Sequence, residues 1–247
     1  MGTKLQNKTR VRKHIKNKSM QMNDLDKKKV RFVRLNEIKC IILFLRMLYI
    51  NDHLEDISAE LLEKAISSLP PWRQELAQKF KFPEGKRECA LAYLELCRGL
   101  QLEYGITEMP TFSYNQSGKP FLPEHPNIHF SLSHCKKAIG CYISSAPCGL
   151  DIEAIRSAKD SLVKYCMNEE EYQQIFSAPN PDEAFITLWT RKEAVFKLKG
   201  TGINDDIKDI LSPRNTEGIC IQTVPNLYHG YILSVAQYSD AKIQLWK

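Results

Sequence analysis

The order of predicted elements along the 247 residues indicates an α+β protein made of two similar halves. Helical patterns come first, strand patterns follow, and both types then recur in the same order, which is typical of this fold class. The length suffices for one large domain or for two small ones with a shared core. Because strand patterns give way to helical patterns again near residue 145, we predict halves at 47–145 and 146–247.

The first 46 residues form a separate, basic segment. They hold 14 Lys and Arg against 3 Asp and Glu, a net charge of +11, and because the whole chain carries +6, residues 47–247 carry −5. Such a composition predicts a disordered extension. Two alternatives stay open: a nucleic-acid-binding arm, or translation that starts at Met47 and omits the segment. The acidic remainder is not expected to bind nucleic acid.

The first half is predicted to contain helices followed by strands. "MLYIND" from Met47 predicts a strand, and "ISAELLEKAISSLP" predicts a helix that Ser58 begins and Pro70 ends. "PWRQELAQKFKFPEGKRECALAYLELCRGLQLEYG" predicts a short helix, a turn at "PEGK" and a longer helix that ends near Gly99 or Gly105. Four strand-like stretches follow, "TFSYNQSGKPFL", "NIHFSLSHC", "AIGCYISS" and "CGLDIE", and we expect the last two to form a hairpin.

Capping patterns define the helices of the second half. In "MNEEEYQQIF", Asn168 is followed three residues later by a glutamate, which is a capping box. "NPDEAFITLWTRKEAVFKLKGTG" predicts the best-marked helix of the chain, with Asn180 as its cap, Pro181 in its first turn and an end at Gly200 or Gly202. The stretches "GICIQTV", "YILSVAQ" and "AKIQLW" then predict strands.

The eight cysteines predict reduced thiols in a cytoplasmic protein. No C-x-x-C pair occurs, the spacing is irregular, and no secretory signal precedes them. A zinc site made of His129, His134, Cys135 and Cys141 would have spacings that match no common zinc pattern. The apolar run "CIILFLRMLYI" contains an arginine and is too short to span a bilayer, so that no membrane association is expected.

Two stretches carry acidic side chains at spacings that suit metal binding. In "CGLDIEAIR", Asp151 and Glu153 share one face of a strand because successive side chains alternate. Glu193 and Lys197 share one face of the capped helix, which also carries Trp189. Taken singly, the first pair suits a solvated strand face and the second a surface ion pair. Together, three carboxylates and a lysine suit Mg²⁺ with a phosphate group.

Lys119, Ser133 and His134 are suited to bind a phosphate monoester. Lys119 follows Gly118 in a turn, and the other two end a strand, so that a cation, a hydroxyl and an imidazole are available. Each of them alone has an ordinary structural explanation. The "SGK" stretch lacks the upstream glycine and the following hydroxyl residue of a P-loop, and the chain has no dinucleotide-binding glycine pattern.

Four motifs occur in a fixed order along the chain: "GKP", "FSLSH", "GLDIE" and "LWTRKEAVFKLKGTG". With this set, roughly residues 47–212 resemble the Sfp-type 4′-phosphopantetheinyl transferases. The resemblance implies a pseudo-dimer of two similar α+β halves with coenzyme A between them. It also implies an enzyme that needs Mg²⁺. This enzyme transfers the 4′-phosphopantetheine arm of coenzyme A to a serine of an acyl or peptidyl carrier protein and releases 3′,5′-ADP.

By position, the resemblance assigns roles to the residues of these motifs. Asp151, Glu153 and Glu193 correspond to the Mg²⁺ ligands, and Lys197 corresponds to the lysine that binds the pyrophosphate. Either Glu193 or a water accepts the serine proton. The contacts to the 3′-phosphoadenosine part of coenzyme A correspond to Lys119, Ser133 and His134. Further phosphate contacts are expected from Arg73, Lys79, Lys81 and Arg87.

Three other functions stay open from the sequence. They are a non-catalytic module that binds coenzyme A or a carrier protein, a nucleic-acid-binding protein that uses its basic segment, and a Mg²⁺-dependent phosphohydrolase. The complete D-x-E and E-x-x-x-K sets argue against a decayed site. No feature selects among fatty-acid, polyketide and peptide carriers, and we expect a monomer.

Overall fold

The computed structural model describes residues 47–239, and the expectations for residues 1–46 and for a strand at "AKIQLW" lie outside them. The described chain combines helices with antiparallel sheets, so that the predicted α+β class is confirmed. One three-stranded sheet precedes residue 145 and another follows it. The division into two similar halves remains a prediction.

The first region builds a three-stranded sheet and a small hairpin. Its elements are β1 (Leu48–Asn51), a 3₁₀-helix (Leu54–Asp56), α1 (Ala59–Ser67), α2 (Pro71–Gln78), α3 (Pro83–Tyr104), β2 (Ser113–Tyr114), β3 (Pro120–Phe121), β4 (His129–His134) and β5 (Ile139–Ser144). The sheet has the order β1-β5-β4 and is antiparallel throughout. β2 and β3 pair with each other.

Prolines and caps set the helix boundaries of this region. Ser58 Oγ accepts a hydrogen bond from Leu61 N at 3.1 Å and begins α1, as predicted. The turn predicted at "PEGK" is wrong, because Pro83 suits the first position of a helix and these residues form the first turn of α3. α3 continues past Gly99 and ends at Gly105, whose φ of 68° is the left-handed conformation.

α3 packs against the first sheet. Leu96 and Leu100 of α3 share a buried cluster with Phe130 of β4 and with Cys141 and Ile143 of β5. Complete burial of a large apolar side chain contributes about 1.5–3 kcal/mol to stability. This packing fixes the position of β4, which contributes a serine to the candidate site described below.

The second region starts at residue 148. Its elements are β6 (Cys148–Ala154), α4 (Asp160–Cys166), α5 (Glu169–Ser177), α6 (Pro181–Lys199), a 3₁₀-helix (Asp205–Lys208), α7 (Pro213–Thr216), β7 (Ile219–Asn226) and β8 (Tyr231–Tyr238). The sheet has the order β6-β8-β7 and is antiparallel. The hairpin predicted for β5 and β6 is wrong. Because β1 and β4 pair with the two edges of β5, β6 pairs with β8 instead.

The helix ends of this region agree with the sequence patterns. α5 begins with the predicted capping box at Asn168. Asn180 Oδ1 accepts a hydrogen bond from Glu183 N at 3.3 Å, and Pro181 occupies the first turn of α6. α6 ends at Gly200, whose φ is 66°. These signals are local, which is why the sequence alone sufficed to predict them.

α6 lies directly against β6. A Cβ atom on Gly149 of β6 would overlap the backbone of Ala194 and Leu198 in α6, so that this position requires glycine. The close approach brings the side chains that leave β6 next to those that leave α6. The acidic residues of the two motifs are therefore neighbours in space.

Most cysteines of the described residues are buried. The cysteines of residues 47–239 form no disulfide. Cys141 and Cys148 are completely buried, and burial raises the pKa of both thiols, that of Cys148 to about 12, so that both stay protonated at neutral pH. Within the same residues, no helix combines the length and apolar character needed to cross a membrane.

Candidate active site

Asp151 lies at the centre of the candidate site. It belongs to β6 and is 4% exposed. Its Oδ1 accepts hydrogen bonds from Ser133 Oγ at 3.0 Å and from Lys197 Nζ at 2.7 Å. Its Oδ2 is buried and has no hydrogen-bond partner among the residues that the structure describes. A buried carboxylate oxygen without a partner is costly, and a bound cation would satisfy it.

Glu153 is the second acid of the strand motif. Its Oε1 accepts a hydrogen bond from Trp189 Nε1 of α6 at 3.1 Å. Burial raises the pKa of Glu153, and the nearby carboxylate of Asp151 raises it further. The sequence placed Trp189 on the correct helix face but gave it no role. The structure shows that it orients Glu153.

Glu193 is the third acid, and it projects from α6. Burial is the main cause that raises the pKa of Glu193 to about 7, and the carboxylates of Asp151 and Glu153 contribute in the same direction, whereas Lys197 opposes them. The mutual effect of the three acids shows that they share one electrostatic environment. The structure therefore brings together the three carboxylates and the lysine that the sequence singled out.

The three carboxylates fit a hard divalent cation by their chemistry. Mg²⁺ binds carboxylate oxygens and completes its coordination with waters and substrate phosphates. Asp151 Oδ2 is available for such an ion. In residues 47–239, no three His, Cys, Asp or Glu side chains already form a metal-binding group. Instead, Asp151 is turned towards Lys197 and Glu153 towards Trp189. The predicted ligand set remains a prediction.

A cavity of about 290 Å³ opens beside Glu193 and Lys197. Its walls include Lys119, Phe130 and Phe196, so that apolar surface alternates with charge. Pockets for small molecules measure about 300–1,000 Å³ and combine apolar walls with a few polar groups. The cavity therefore offers a place for part of a small substrate directly beside the acids.

Lys119 contacts the end of α6 rather than the acids. Its Nζ donates to the carbonyl oxygens of Cys148 at 2.9 Å and Leu198 at 3.3 Å, and burial lowers its pKa. Asn115 of the same hairpin donates from Nδ2 to the carbonyl oxygen of Gly200 at 2.9 Å. The turn between β2 and β3 is thereby fixed to the C-terminus of α6. The predicted contact of Lys119 with coenzyme A remains a prediction.

Ser133 and His134 point to opposite sides of β4. Ser133 is 4% exposed and donates to Asp151, as described above. The side chain of His134 is 49% exposed, and its Nδ1 lies 3.2 Å from Glu88 Oε2 of α3. The structure thus brings Ser133 to the carboxylates and places His134 at a separate, open position. Sequence reasoning did not identify Glu88, since no spacing rule connects it with His134.

The two predicted arginines point into the protein. Arg73 is 7% exposed, its guanidinium lies over the rings of Trp72, Tyr93 and Phe112, and its Nη2 donates to the carbonyl oxygen of Cys89. Such stacking on aromatic rings stabilises a buried cation. The side chain of Arg87 donates from Nη1 to the carbonyl oxygen of Leu54 at 3.2 Å. The structure does not bring either arginine to the carboxylates.

The two predicted lysines of this stretch are exposed. Lys79 follows α2 directly and lines a separate cavity together with Trp72 and Phe112. Lys81 lies in the connection between α2 and α3, with its Nζ 5.5 Å from the ring centre of Phe82. Neither lysine contacts the acids. Their predicted phosphate contacts, like those of the two arginines, remain predictions.

A buried ion pair supports the helix that carries Glu193. Lys192 is fully buried, and its Nζ donates to Glu171 Oε2 at 2.7 Å, to the carbonyl oxygen of Ile207 at 2.7 Å and to that of Lys208 at 3.2 Å. Glu171 Oε2 also completes the capping box of α5. Sequence reasoning missed this lysine, because its partners lie on elements far along the chain.

Acids with shifted pKa values and a lysine at the edge of a cavity are typical of an enzyme active site. Comparison with known proteins agrees with this class. A family model described as the 4′-phosphopantetheinyl transferase superfamily matches residues 147–241, which include the three acids and Lys197. The chain also has curated relatives, which match between 53% and 66% of it.

The curated relatives carry the name 4′-phosphopantetheinyl transferase, and three of them illustrate the similarity. HetI of Nostoc sp. (strain PCC 7120) is 32% identical over 163 residues, which are 60% of this chain and 67% of the relative. Psf-1 of Bacillus pumilus is 27% identical over 66% of this chain and 73% of the relative. Sfp of Bacillus subtilis is 26% identical over 60% of this chain and 67% of the relative. The chain therefore belongs to the 4′-phosphopantetheinyl transferase superfamily, and the family predicted from the sequence is confirmed.

Proposed function

We propose that this enzyme transfers the 4′-phosphopantetheine arm of coenzyme A to a serine of an acyl or peptidyl carrier protein, with Mg²⁺ and with release of 3′,5′-ADP. The observation that carries the proposal is the carboxylate of Asp151. One of its oxygens is held by Ser133 and Lys197, and the other is buried and has no hydrogen-bond partner within residues 47–239. Such an arrangement suits an acid that receives a metal ion with its substrate.

Asp151, Glu153 and Glu193 would hold the Mg²⁺ ion. When bound, the ion would neutralise negative charge on the pyrophosphate of coenzyme A. The raised pKa values of Glu153 and Glu193 support this assignment, because acids that are buried together gain most from a cation.

Lys197 is proposed to bind a pyrophosphate oxygen. Its ammonium group has three N–H donors, of which one contacts Ser133 Oγ and one contacts Asp151 Oδ1. The third donor remains for the substrate, and the side chain is 31% exposed towards the cavity. A positive charge that is already held in place costs no reorganisation when charge develops on the phosphate.

The group transfer exchanges one phosphorus–oxygen bond for another. The serine oxygen of the carrier attacks the phosphorus that bears the pantetheine arm, and the bond from that phosphorus to the oxygen of 3′,5′-ADP breaks. The serine proton passes to Glu193 or to a water. The pKa of Glu193 is about 7 in the metal-free protein, and a bound cation would lower it, so that Glu193 and water both remain candidate acceptors in the metal-bound enzyme.

One measurement tests this function. Intact mass spectrometry of an apo carrier protein, after incubation with the enzyme, coenzyme A and Mg²⁺, is expected to show the added phosphopantetheine arm. Consumption of coenzyme A without carrier would instead indicate a phosphohydrolase, and binding without either reaction would indicate a non-catalytic module. A panel of fatty-acid, polyketide and peptide carriers would identify the partner. The monomeric state and the cytoplasmic location remain predictions.

A further inference from the structure

Two serine hydroxyls connect the first sheet to the second. Ser131 Oγ accepts a hydrogen bond from Leu150 N at 2.9 Å, and Ser133 Oγ accepts one from Ile152 N at 3.1 Å. Both serines lie on one face of β4 because alternate side chains of a strand point the same way. β4 and β6 belong to different sheets, so that these side chains supply the acceptors that a neighbouring strand would otherwise supply. The two contacts flank Asp151.

Of the two hydroxyls, that of Ser131 lines the cavity, and among the described residues only that of Ser133 also bonds to Asp151 and Lys197. Ser133 Oγ lies 3.0 Å from Asp151 Oδ1 and 3.0 Å from Lys197 Nζ. A serine hydroxyl has one hydrogen to donate and two lone pairs to accept with. Because Ile152 N–H and the lysine ammonium both donate to Oγ, the single hydroxyl hydrogen is directed to Asp151. All hydrogen-bonding positions of Ser133 are therefore in use.

A saturated, buried hydroxyl has no donor left for a phosphate group. We propose that Ser133 is a positioning residue. Its hydroxyl holds Asp151 Oδ1 and Lys197 Nζ in fixed positions, so that Asp151 Oδ2 stays free for the metal ion. This inference rests on the proposed function, since that function places the ion at Asp151. The contact between Ser133 and the 3′-phosphoadenosine part, which the family resemblance implied, remains a prediction.

The geometry explains why the hydroxyl matters. Asp151 Oδ1 receives two donors and Oδ2 receives none among residues 47–239. Rotation of the carboxylate plane away from this orientation would break both bonds. Without the hydroxyl, Lys197 alone holds the carboxylate, and a flexible lysine can follow either oxygen. Outer partners of this kind change metal affinity by about 10–100-fold when they are removed.

Ser131 provides a matched control. It lies two residues from Ser133 on the same face, it is equally buried at 5% against 4%, and it accepts the same kind of bond from β6. Its hydroxyl has no contact with the acids or with Lys197 among the bonds of the described residues. Ser131→Ala and Ser133→Ala therefore each remove one hydrogen bond between β4 and β6. Only Ser133→Ala also removes the bonds to Asp151 and Lys197.

The test measures ion binding without catalysis. Mn²⁺ is titrated into the protein without coenzyme A or carrier, and free Mn²⁺ is followed by electron paramagnetic resonance. Ser133→Ala is expected to bind Mn²⁺ about tenfold more weakly than the unchanged protein. Ser131→Ala is expected to bind it normally despite a similar loss of thermal stability. Ser133→Thr, which keeps a hydroxyl, is expected to restore most of the affinity.

Amide hydrogen exchange of the metal-free protein checks the connection itself. Exchange at Ile152 should accelerate in Ser133→Ala, and exchange at Leu150 should accelerate in Ser131→Ala. Unchanged exchange at both would overturn the bonds on which the inference depends. Equal Mn²⁺ affinity in the two alanine variants would overturn the positioning role alone. If the unchanged protein itself binds no Mn²⁺, the metal site of the proposed function fails, and the inference fails with it.

Discussion

Lys197 Nζ lies 2.7 Å from Asp151 Oδ1 and thereby joins α6 to β6. The carboxylate is 6% exposed and the lysine side chain 31%, so that the pair faces the cavity on the lysine side. The same ammonium also donates to Ser133 Oγ. A cation fixed in this way can hold a substrate anion while it keeps its contact with the acid.

Lys197→Met should therefore lower kcat/KM for transfer by about 100-fold or more, since loss of one donor to developing charge costs about 3 kcal/mol. The rate is measured with a labelled coenzyme A and an apo carrier protein at fixed Mg²⁺. Lys64→Met, at an exposed lysine of α1, serves as the control and should retain the normal rate. Normal kcat/KM in Lys197→Met would contradict the assigned role.

Asp151→Asn should abolish measurable transfer and Mn²⁺ binding. The substitution keeps the size of the side chain and an oxygen that can accept the bonds from Ser133 and Lys197, but it removes the charge that a divalent ion requires. The fold should remain intact, which circular dichroism and thermal unfolding can confirm. Asp182→Asn, on the first turn of α6, provides a comparison acid outside the site. Full transfer by Asp151→Asn would refute the metal assignment.

His134→Ala should mainly raise the KM for coenzyme A, with kcat nearly unchanged. The imidazole is half-exposed beside Glu88 and makes no contact with the three acids, so that it can affect substrate binding but not the chemical step. Steady-state kinetics at saturating carrier separate the two constants. A large fall of kcat at saturating coenzyme A would show that this role is wrong.

The sequence predicted the parts of the site that local spacing determines. A strand period of two places Asp151 and Glu153 on one face, and a spacing of four places Glu193 and Lys197 on one face of a helix. The ends of α6 were predictable for the same reason, since caps depend on neighbouring residues. These features need no knowledge of the rest of the fold.

Contacts between distant strands could not be predicted in this way. Nothing in "AIGCYISS" shows that β1 and β4 pair with both edges of β5, and the expected hairpin with β6 was therefore wrong. The bonds from Ser131 and Ser133 to β6 depend on the same arrangement. Likewise, the inward direction of Lys119 depends on where α6 ends in space. Spacing along the chain does not encode such non-local packing.

Lys192→Met should lower the free energy of unfolding by about 3–5 kcal/mol, because it leaves the buried carboxylate of Glu171 without its cation. Urea denaturation of the metal-free protein measures the change. The double variant with Glu171→Gln should recover part of the loss, since no unpaired charge then remains. Lys164→Met removes an exposed ion pair of α4 and should leave the stability nearly unchanged. A similarly small effect of Lys192→Met would contradict the structural role of the pair.

Glu193 makes the stability of the metal-free protein depend on pH. Its pKa is about 7 in the folded protein, against an ordinary value of 4.5, mainly because of burial and then because of Asp151. The folded protein therefore binds this proton more tightly than the unfolded chain does, and stability falls as the pH rises from 4.5 to about 7. After allowance for partial exposure, the loss should be on the order of 1–2 kcal/mol.

Glu193→Gln should remove most of this pH dependence, because glutamine does not ionise. A smaller slope should remain from Glu153, because burial and the carboxylate of Asp151 raise its pKa as well. Saturating Mg²⁺ should reduce the slope of the unchanged protein as well, since a bound cation favours the ionised acids and adds its binding energy to the folded state. Urea denaturation between pH 4.5 and 8, with chelator or with Mg²⁺, measures both effects. Glu63→Gln on α1 is the control. If Glu193→Gln, measured with chelator, still shows the full dependence of stability on pH, the acid responsible lies elsewhere.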